Sequence, residues 1–311
     1  MTWIVTDNYG NTSEVSIVIS SDADNLEAVI RAAEKDGWES ATVEAEYGNR
    51  VVAGSWDTLA HHAEGWQDKP CPCLHRETRP TPERLIIGVS HFDLDTLGGV
   101  LSLLGLRRGV TYKEAPTANS FWNMAAFLDM NGPHRICMID RFLHPRFHAF
   151  WAWSEEHRLI APRDKSILDA TSFFQDAEEV IAEILDGDES RLAAGQEWAS
   201  NKKEEELEQK SFRFVFTFGG LSGIVRQSAG KFVNSLYAHD CRMYDAIIGH
   251  NTKTGAITLS FERPGIRNAK EVMQSIFGPE AGGHEGIAGT PRGVEFSLTD
   301  AMKIIQELSN K

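Results

Sequence analysis

Val15, Ile17 and Ile19 alternate with polar residues, the period-two pattern of a half-buried strand. Asp22 or Asp24 then caps a helix over 25–35, and Gly37 stops it. Segments 41–47 and 50–56 alternate around Gly48-Asn49, which predicts a hairpin. Residues 1–66 thus read as a small α+β accessory or oligomerisation module without a chemical motif. Residues 67–83 (QDKPCPCLHRETRPTPE) hold four prolines and no periodicity, as expected of a linker or wrapped connector.

From residue 84 the pattern changes. Residues 84–90 form an apolar run of buried-strand length, and 97–106 a helix-length apolar segment behind it. Residues 135–140 read as a second short buried strand. Strands alternating with helices predict an α/β domain with a mainly parallel sheet over 84–188. Phe173, Phe174, Ala177, Val180, Ile181, Ile184 and Leu185 fall at helical spacing. The charge-rich segment 189–211 reads as a solvated linker helix. Residues 212–311 return to α+β texture, with strands at 213–218 and 256–261 and a last helix over 299–308.

Composition narrows the function classes. At 311 residues, 41% hydrophobic and 24% charged, the chain can bury a sizeable core without disulfide or metal support. Its net charge of −14 disfavours duplex DNA as a partner. Residues 212–311 carry 11 basic and 9 acidic residues, a net of +2, so an anionic ligand docks most readily there. No apolar run is long enough to span a membrane, no secretory pattern opens the chain, and four cysteines fit a reducing compartment. The expectation is a cytoplasmic protein without a membrane partner.

The densest chemistry lies in Ser90-His91-Phe92-Asp93-Leu94-Asp95-Thr96-Leu97-Gly98-Gly99, between a buried strand and a helix. Ligands of parallel sheets bind at carboxyl ends of strands. One imidazole and two carboxylates there suit Mn²⁺ or Mg²⁺. The bland reading makes Asp93 and Asp95 helix caps, but three potential ligands at one strand end exceed what capping needs. Gly98 and Gly99 would let helix and strand pack closely. Asp140, ending the second short apolar run, is a fourth ligand candidate or else a turn residue. His144 and His148 sit one helical turn apart in an aromatic segment that reads as packing, and Pro145 argues against one shared helix. Cys71, Cys73 and His75, with His61 and His62 upstream, are either incidental reduced side chains or a structural Zn²⁺ site of unusually tight spacing. The loop 277–292 is rich in glycine, a composition suited to anion nests, with His284 and Arg292 as charged donors.

His91-x-Asp93-x-Asp95 with Leu97-Gly98-Gly99 resembles the first metal motif of the DHH/DHHA1 phosphoesterase superfamily. Gly282-Gly283-His284-Glu-Gly-Ile-Ala288-Gly289 is similar to the glycine-rich motif of its DHHA1 domain, and Asn268-Ala269 opens a helix at the matching place. The resemblance spans about 84–311 and implies a DHH-like domain, a linker helix and a smaller DHHA1-like domain, with 1–66 as an addition. It implies hydrolysis of a small nucleotide or short single-stranded oligonucleotide with two Mn²⁺, Mg²⁺ being the other ion of that kind, in a cleft between domains. It implies His91, Asp93, Asp95 and Asp140 as metal ligands and Arg263, Gly282, Gly283, His284 and Arg292 as substrate-binding residues. A homodimer is compatible with it. The Asp-His-His triplet is missing, and its nearest counterpart is Glu155-Glu156-His157. Glu156 would then replace a metal-binding imidazole, and His157 would be the catalytic, substrate-facing one. That departure motivates an alternative, a relative that binds a nucleotide without hydrolysing it. A third reading makes 1–66 a partner-recruiting module dispensable for hydrolysis.

Overall fold

The apolar run Arg84–Val89 is the central strand of a six-stranded sheet, and its neighbours come from the first 60 residues of the chain. The computed structural model describes residues 2–107, 120–207, 213–229, 238–239, 242–263 and 265–310. These form two compact units, Met1–Ala126 with Glu156–Arg191, and Phe127–Glu155 with Leu192–Lys311.

In chain order the first unit begins with β1 (Trp3–Thr6), β2 (Thr12–Ile19), α1 (Ala23–Lys35), β3 (Glu39–Val43) and the small hairpin β4 (Glu46–Tyr47) and β5 (Arg50–Val51). It continues through β6 (Asp57–Leu59), β7 (Arg84–Val89) and α2 (Leu94–Leu103). Of the elements that follow in the chain, α3 (Phe121–Asn131) is divided between the two units, α4 (His144–Glu156) belongs to the second, β8 (Leu168–Asp169) and α5 (Thr171–Asp186) to the first, and most of α6 (Glu189–Leu207) to the second. The sheet order is β1-β2-β7-β3-β6, with β8 on β2. Strands β2, β7, β3 and β6 are mutually parallel, with Ile17 opposite Ile87, Ile87 opposite Ala41 and Val43 opposite Leu59. β1 and β8 run antiparallel to β2.

The mixed α/β class agrees with expectation; a parallel sheet built from 84–188 with a separate N-terminal module does not, since among the described residues 84–188 gives only β7 and β8 to the sheet. Residues 1–66 supply β1, β2, β3 and β6 of the same sheet that holds β7, because a buried parallel strand must be hydrogen-bonded on both sides. The expected hairpin shrinks to β4 and β5, and the segment before it becomes β3. Alternation along the strands sorts two layers. Val18 and Ile86 pack with Leu26 and Ile30 of α1, while Val15, Ile17 and Ile19 are fully buried toward the other face. Asp22 is the N-cap of α1, its carboxylate accepting the Asn25 N–H at 3.0 Å.

The proline-rich connector wraps onto α2 through a 3₁₀ turn, Pro72–Leu74. Gly98 meets this connector first, whereas the closest approach to Gly99 is by Val43 of β3, the helix–strand packing that the sequence reading expects. A Cβ on Gly98 would lie 2.5 Å from Cys73 Cβ and 2.6 Å from Trp122 Cζ3; one on Gly99 would lie 2.8 Å from Pro72 Cβ and 2.7 Å from Val43 Cγ1. Gly98→Ala is therefore expected to destabilise the fold by about 1–3 kcal/mol through overpacking, read as a lower urea midpoint with unchanged slope.

The expected strand at 135–140 is a 3₁₀ helix, Pro133–Met138, and Asp140 follows it on the surface. Short apolar runs do not separate strand from helix, and Pro133 at the start favours the helical turn. His144 and His148 do share one helix, because Pro145 falls in the first turn of α4 where its missing N–H costs nothing. Burial, with His144 adding to it, lowers the pKa of His148 to about 4.

The second unit carries β9 (Arg213–Phe218), β10 (Leu221–Ser228), the small pair β11 (Ala238–His239) and β12 (Arg242–Met243), β13 (Ala246–Asn251), β14 (Ile257–Phe261), α7 (Ala269–Phe277), β15 (Gly282–Gly283), β16 (Ile287–Gly289) and α8 (Leu298–Ser309). Its larger sheet runs β15-β16-β14-β13-β10-β9 and is antiparallel except for β10 beside β13. Leu259, Phe261, Met273 and Ile304 anchor its core. Asn268 caps α7 as the sequence suggests. The charged α6 is not wholly solvated. Its Gly195 admits Ala149 of α4, and Glu155 accepts Trp198 Nε1–H at 2.8 Å and Lys202 Nζ at 3.0 Å. Residues 208–211 of the expected linker helix lie outside the described residues.

Candidate metal centre

Three adjacent parallel strands, β7, β3 and β6, end at the same edge, and each delivers ligand-type side chains there. Glu44 follows β3, His61 and His62 follow β6, and His91, Asp93 and Asp95 follow β7. This is the edge at which parallel sheets bind ligands.

Glu44 joins these side chains. It is fully buried and holds φ at +48°, a strained conformation for a non-glycine residue. Two main-chain bonds hold that kink: Glu44 N–H donates to Leu59 O at 2.8 Å, and the Ser90 hydroxyl donates to the Glu44 carbonyl. Glu44 Oε1 lies 3.1 Å from His61 Nε2 and 2.9 Å from His62 Nε2. Glu44 Oε2 lies 3.3 Å from His91 Nε2 and accepts the Thr96 hydroxyl at 2.6 Å. Glu46 braces the histidine pair from behind, accepting the N–H groups of His61, His62 and Ala63 at 3.3, 2.8 and 2.7 Å.

Asp93 does both jobs weighed for it. Its Oδ1 accepts the Thr96 N–H at 2.9 Å as the N-cap of α2, and its Oδ2 lies 3.0 Å from His91 Nε2. Asp95 is not a cap. Its Oδ1 accepts the Cys73 N–H at 2.9 Å, and its Oδ2 lies 3.3 Å from His61 Nε2.

Proton counting shows what the cluster lacks. His61 Nε2 faces both Glu44 and Asp95, and one ring N–H cannot satisfy both. Ser90 spends its only proton on the Glu44 carbonyl, so its 3.2 Å contact with His91 Nδ1 takes the proton of that nitrogen. His91 Nε2 faces the carboxylates of Glu44 and Asp93 at 3.3 and 3.0 Å. The donor set of carboxylate and imidazole that converges here fits a divalent metal such as Mn²⁺ or Zn²⁺.

Burial and the neighbouring charges set the ionisation of the cluster. Burial opposes the Glu44 charge, but His91, His61 and His62 hold its pKa well below the ordinary carboxylate range. For Asp93, burial and Glu44 push up, while His91 and the Thr96 N–H prevail and lower it. Burial pushes Asp95 up to about 6, with the Glu44 and Asp93 charges adding to it against His61. Burial disfavours a charged His61, yet Asp95, Cys71 and Glu44 overcome that and raise its pKa.

The other expected site residues lie elsewhere. Glu156 and His157 are exposed and join none of the metal-capable groups among the described residues; neither does Asp140, whose carboxylate accepts the Phe142 N–H at 3.0 Å. The imidazole pair of this centre comes instead from Ala60-His61-His62, upstream of the first motif. In the second unit, Gly283 has φ +135°, and a Cβ there would lie 2.5 Å from Ala288 Cα, so only glycine fits between Gly282 and His284. His284 Nε2 lies 3.2 Å from Asp129. Arg263 is exposed, 3.8 Å from Asp245, and Arg292 is exposed in a turn.

Cys71, Cys73 and His75 do not converge as a zinc knuckle. Cys73 Sγ lies 3.5 Å from the Trp122 carbonyl, while His75 approaches Glu77 at 3.5 Å and Asp57 at 4.0 Å. Arg79 bridges Asp57 and Glu77 of that last trio and offsets part of its charge. Burial pushes Glu77 up, but Arg79 and the N–H groups of Thr78 and Arg79 outweigh it and bring its pKa to about 2. A depressed carboxylate contributes stability above its unfolded pKa and loses it as pH falls through the folded one. The stability of the first unit is thus expected to fall by about 1–2 kcal/mol from this group as pH drops from about 4.5 toward 2, with Arg79 half exposed and screened. Urea unfolding of wild type and Glu77→Gln at pH 3 and pH 5 checks it; the variant should lose that part of the slope.

No protein-family model matches the chain, and no curated protein matches its sequence. Among solved structures, the pGpG-specific phosphodiesterase PggH from Vibrio cholerae is similar at 14% identity and a TM-score of 0.33, over 95% of this chain and 98% of that one. Likeness at that level carries no weight for the chemistry. Among the described residues, no helix is long and apolar enough to cross a membrane.

Proposed function

We propose that the protein is a divalent-metal-dependent phosphoesterase that hydrolyses a small nucleotide or short oligonucleotide, with Mn²⁺ as the ion to load first. The observation that carries this reading is the convergence of Glu44, His61, His62, His91, Asp93 and Asp95 at the ends of three neighbouring parallel strands. The resemblance of His91-x-Asp93-x-Asp95 to the first metal motif of DHH phosphoesterases supports it independently.

Glu44, His91 and Asp93 would hold one ion, and Asp95 with His61 a second, Glu44 reaching toward both sides with its two oxygens. Such ions polarise a phosphoryl oxygen and make water nucleophilic at neutral pH. The chain's own residues set the geometry for this. Thr96 and Ser90 fix Glu44, Glu46 fixes the His61–His62 turn, and the Asp93 cap ties the first motif to the start of α2. The negative surface, −14 overall, favours a short substrate over a long polyanion. The non-hydrolysing alternative is motivated by Glu156 in place of a metal-binding imidazole; in the reading proposed here His61 and His62 would supply imidazoles to the centre.

The test is turnover. The full chain, stripped with chelator and reloaded with Mn²⁺, is incubated with short linear and cyclic dinucleotides beside Asp93→Ala. The expected result is product from the loaded wild type alone. Nucleotide retained without product would establish the binding alternative, and equal rates for wild type and variant would sink the centre.

A further inference from the structure

Among the described residues, Cys71 is the cysteine that joins a metal-capable group, and nothing in the phosphoesterase reading uses it. Its thiol is 3% exposed and lies within 4.8 Å of the ligand atoms of His61 and Asp95. The segment that carries it is pinned: the next-but-one N–H, of Cys73, donates to Asp95 Oδ1 at 2.9 Å, and Pro72 starts the 3₁₀ turn. Cys71 Sγ is 3.9 Å from the Ala126 carbonyl, a weak contact for a buried thiol. Cys73, two residues on, turns away toward Trp122.

We propose that Cys71 is a ligand of the metal centre and makes it chemically asymmetric. The position among His61, Cys71 and Asp95 selects a borderline-soft ion, Zn²⁺ in preference to Mn²⁺. The position among Glu44, His91 and Asp93, built of oxygen and imidazole, takes the harder ion. Thiolate ligands favour Zn²⁺, and carboxylates are indifferent or favour Mn²⁺. On binding, the metal–sulfur bond replaces the S–H bond and the proton leaves to solvent; no electron is transferred. The inference rests on the metal-centre reading above.

The test uses the full chain, stripped of metal, and three probes, Co²⁺, Zn²⁺ and Mn²⁺ alone. Wild type loaded with Co²⁺ is expected to show near-ultraviolet thiolate-to-metal absorption, which Zn²⁺ abolishes and Mn²⁺ does not. Cys71→Ser should lack the absorption and bind its first equivalent of Zn²⁺ at least about tenfold more weakly, with Mn²⁺ uptake unchanged. Cys73→Ser should keep it. X-ray absorption of the Zn²⁺ form should show one sulfur scatterer at about 2.3 Å. Should Cys71→Ser fail to fold, a chain retaining only Cys71 (Cys73, Cys137 and Cys241 changed to serine) must still show that scatterer. Co²⁺ bound without thiolate absorption, or absorption surviving in Cys71→Ser, overturns the role of Cys71 and leaves the metal centre standing. No uptake of any of the three ions by wild type overturns both.

Discussion

Glu44→Gln is expected to lower kcat/KM of the Mn²⁺-loaded protein by roughly three orders of magnitude while leaving it folded. The amide keeps the shape of the carboxylate, and the Glu44 main-chain bonds to Leu59 and Ser90 do not involve the changed atoms. What is lost is the anion that faces His61 and His62 with one oxygen and His91 with the other. Metal ions contribute several kcal/mol to phosphoryl transfer, and each 1.36 kcal/mol is tenfold in rate, so losing the shared carboxylate accounts for about a thousandfold. The variant should also take up less metal, measured by equilibrium dialysis. Full activity in a folded Glu44→Gln protein would remove Glu44 from the centre.

The largest stability effect is expected for Phe174→Ala, about 3–5 kcal/mol by urea unfolding. Phe174 is fully buried on α5, and its ring meets Phe92 edge-on at 5.4 Å. Phe92 lies between His91 and Asp93 in sequence, so the core supports the segment that carries the first motif. The cavity should loosen that segment, and activity of the folded fraction should fall as well. Phe142→Ala is the control. That ring is 82% exposed, and its removal should change stability by no more than about 0.5 kcal/mol. Equal effects of the two changes would contradict the packing described here.

Much of this fold can be read from local signals. The Asp22 cap, the helical spacing along α5, the Asn268 start of α7 and the strand at β7 each declare themselves within a dozen residues. His91, Asp93 and Asp95 are equally legible, because all three sit in one strand-to-helix junction. Glu44 is not. It is one of several acidic residues between 39 and 46, and only the placement of β3 beside β7 turns it toward the histidines. Its positive φ is invisible too, since sequence flags that conformation chiefly through glycine and asparagine. His61 and His62 drew attention only through the nearby cysteines, and their true partners, Glu44 and Glu46, depend on the end of β6 meeting the end of β3. The run 135–140 misleads for a different reason, being too short for apolar content to distinguish strand from 3₁₀ helix.

The slot between β2 and β3 governs how the chain comes off the ribosome. Those strands emerge first, yet neither bonds the other; the strand that fits between them follows some 40 residues after β3. Until it arrives, two apolar strands present open edges, the arrangement most prone to mispairing with another nascent chain. A fragment ending at residue 66 would be arrested in that condition, and a chain starting after it would lack both flanking strands and three of the six ligand-type side chains. Neither piece is a portable module. Closure over such sequence separation is slow, so folding of the first unit waits for β7 to be complete.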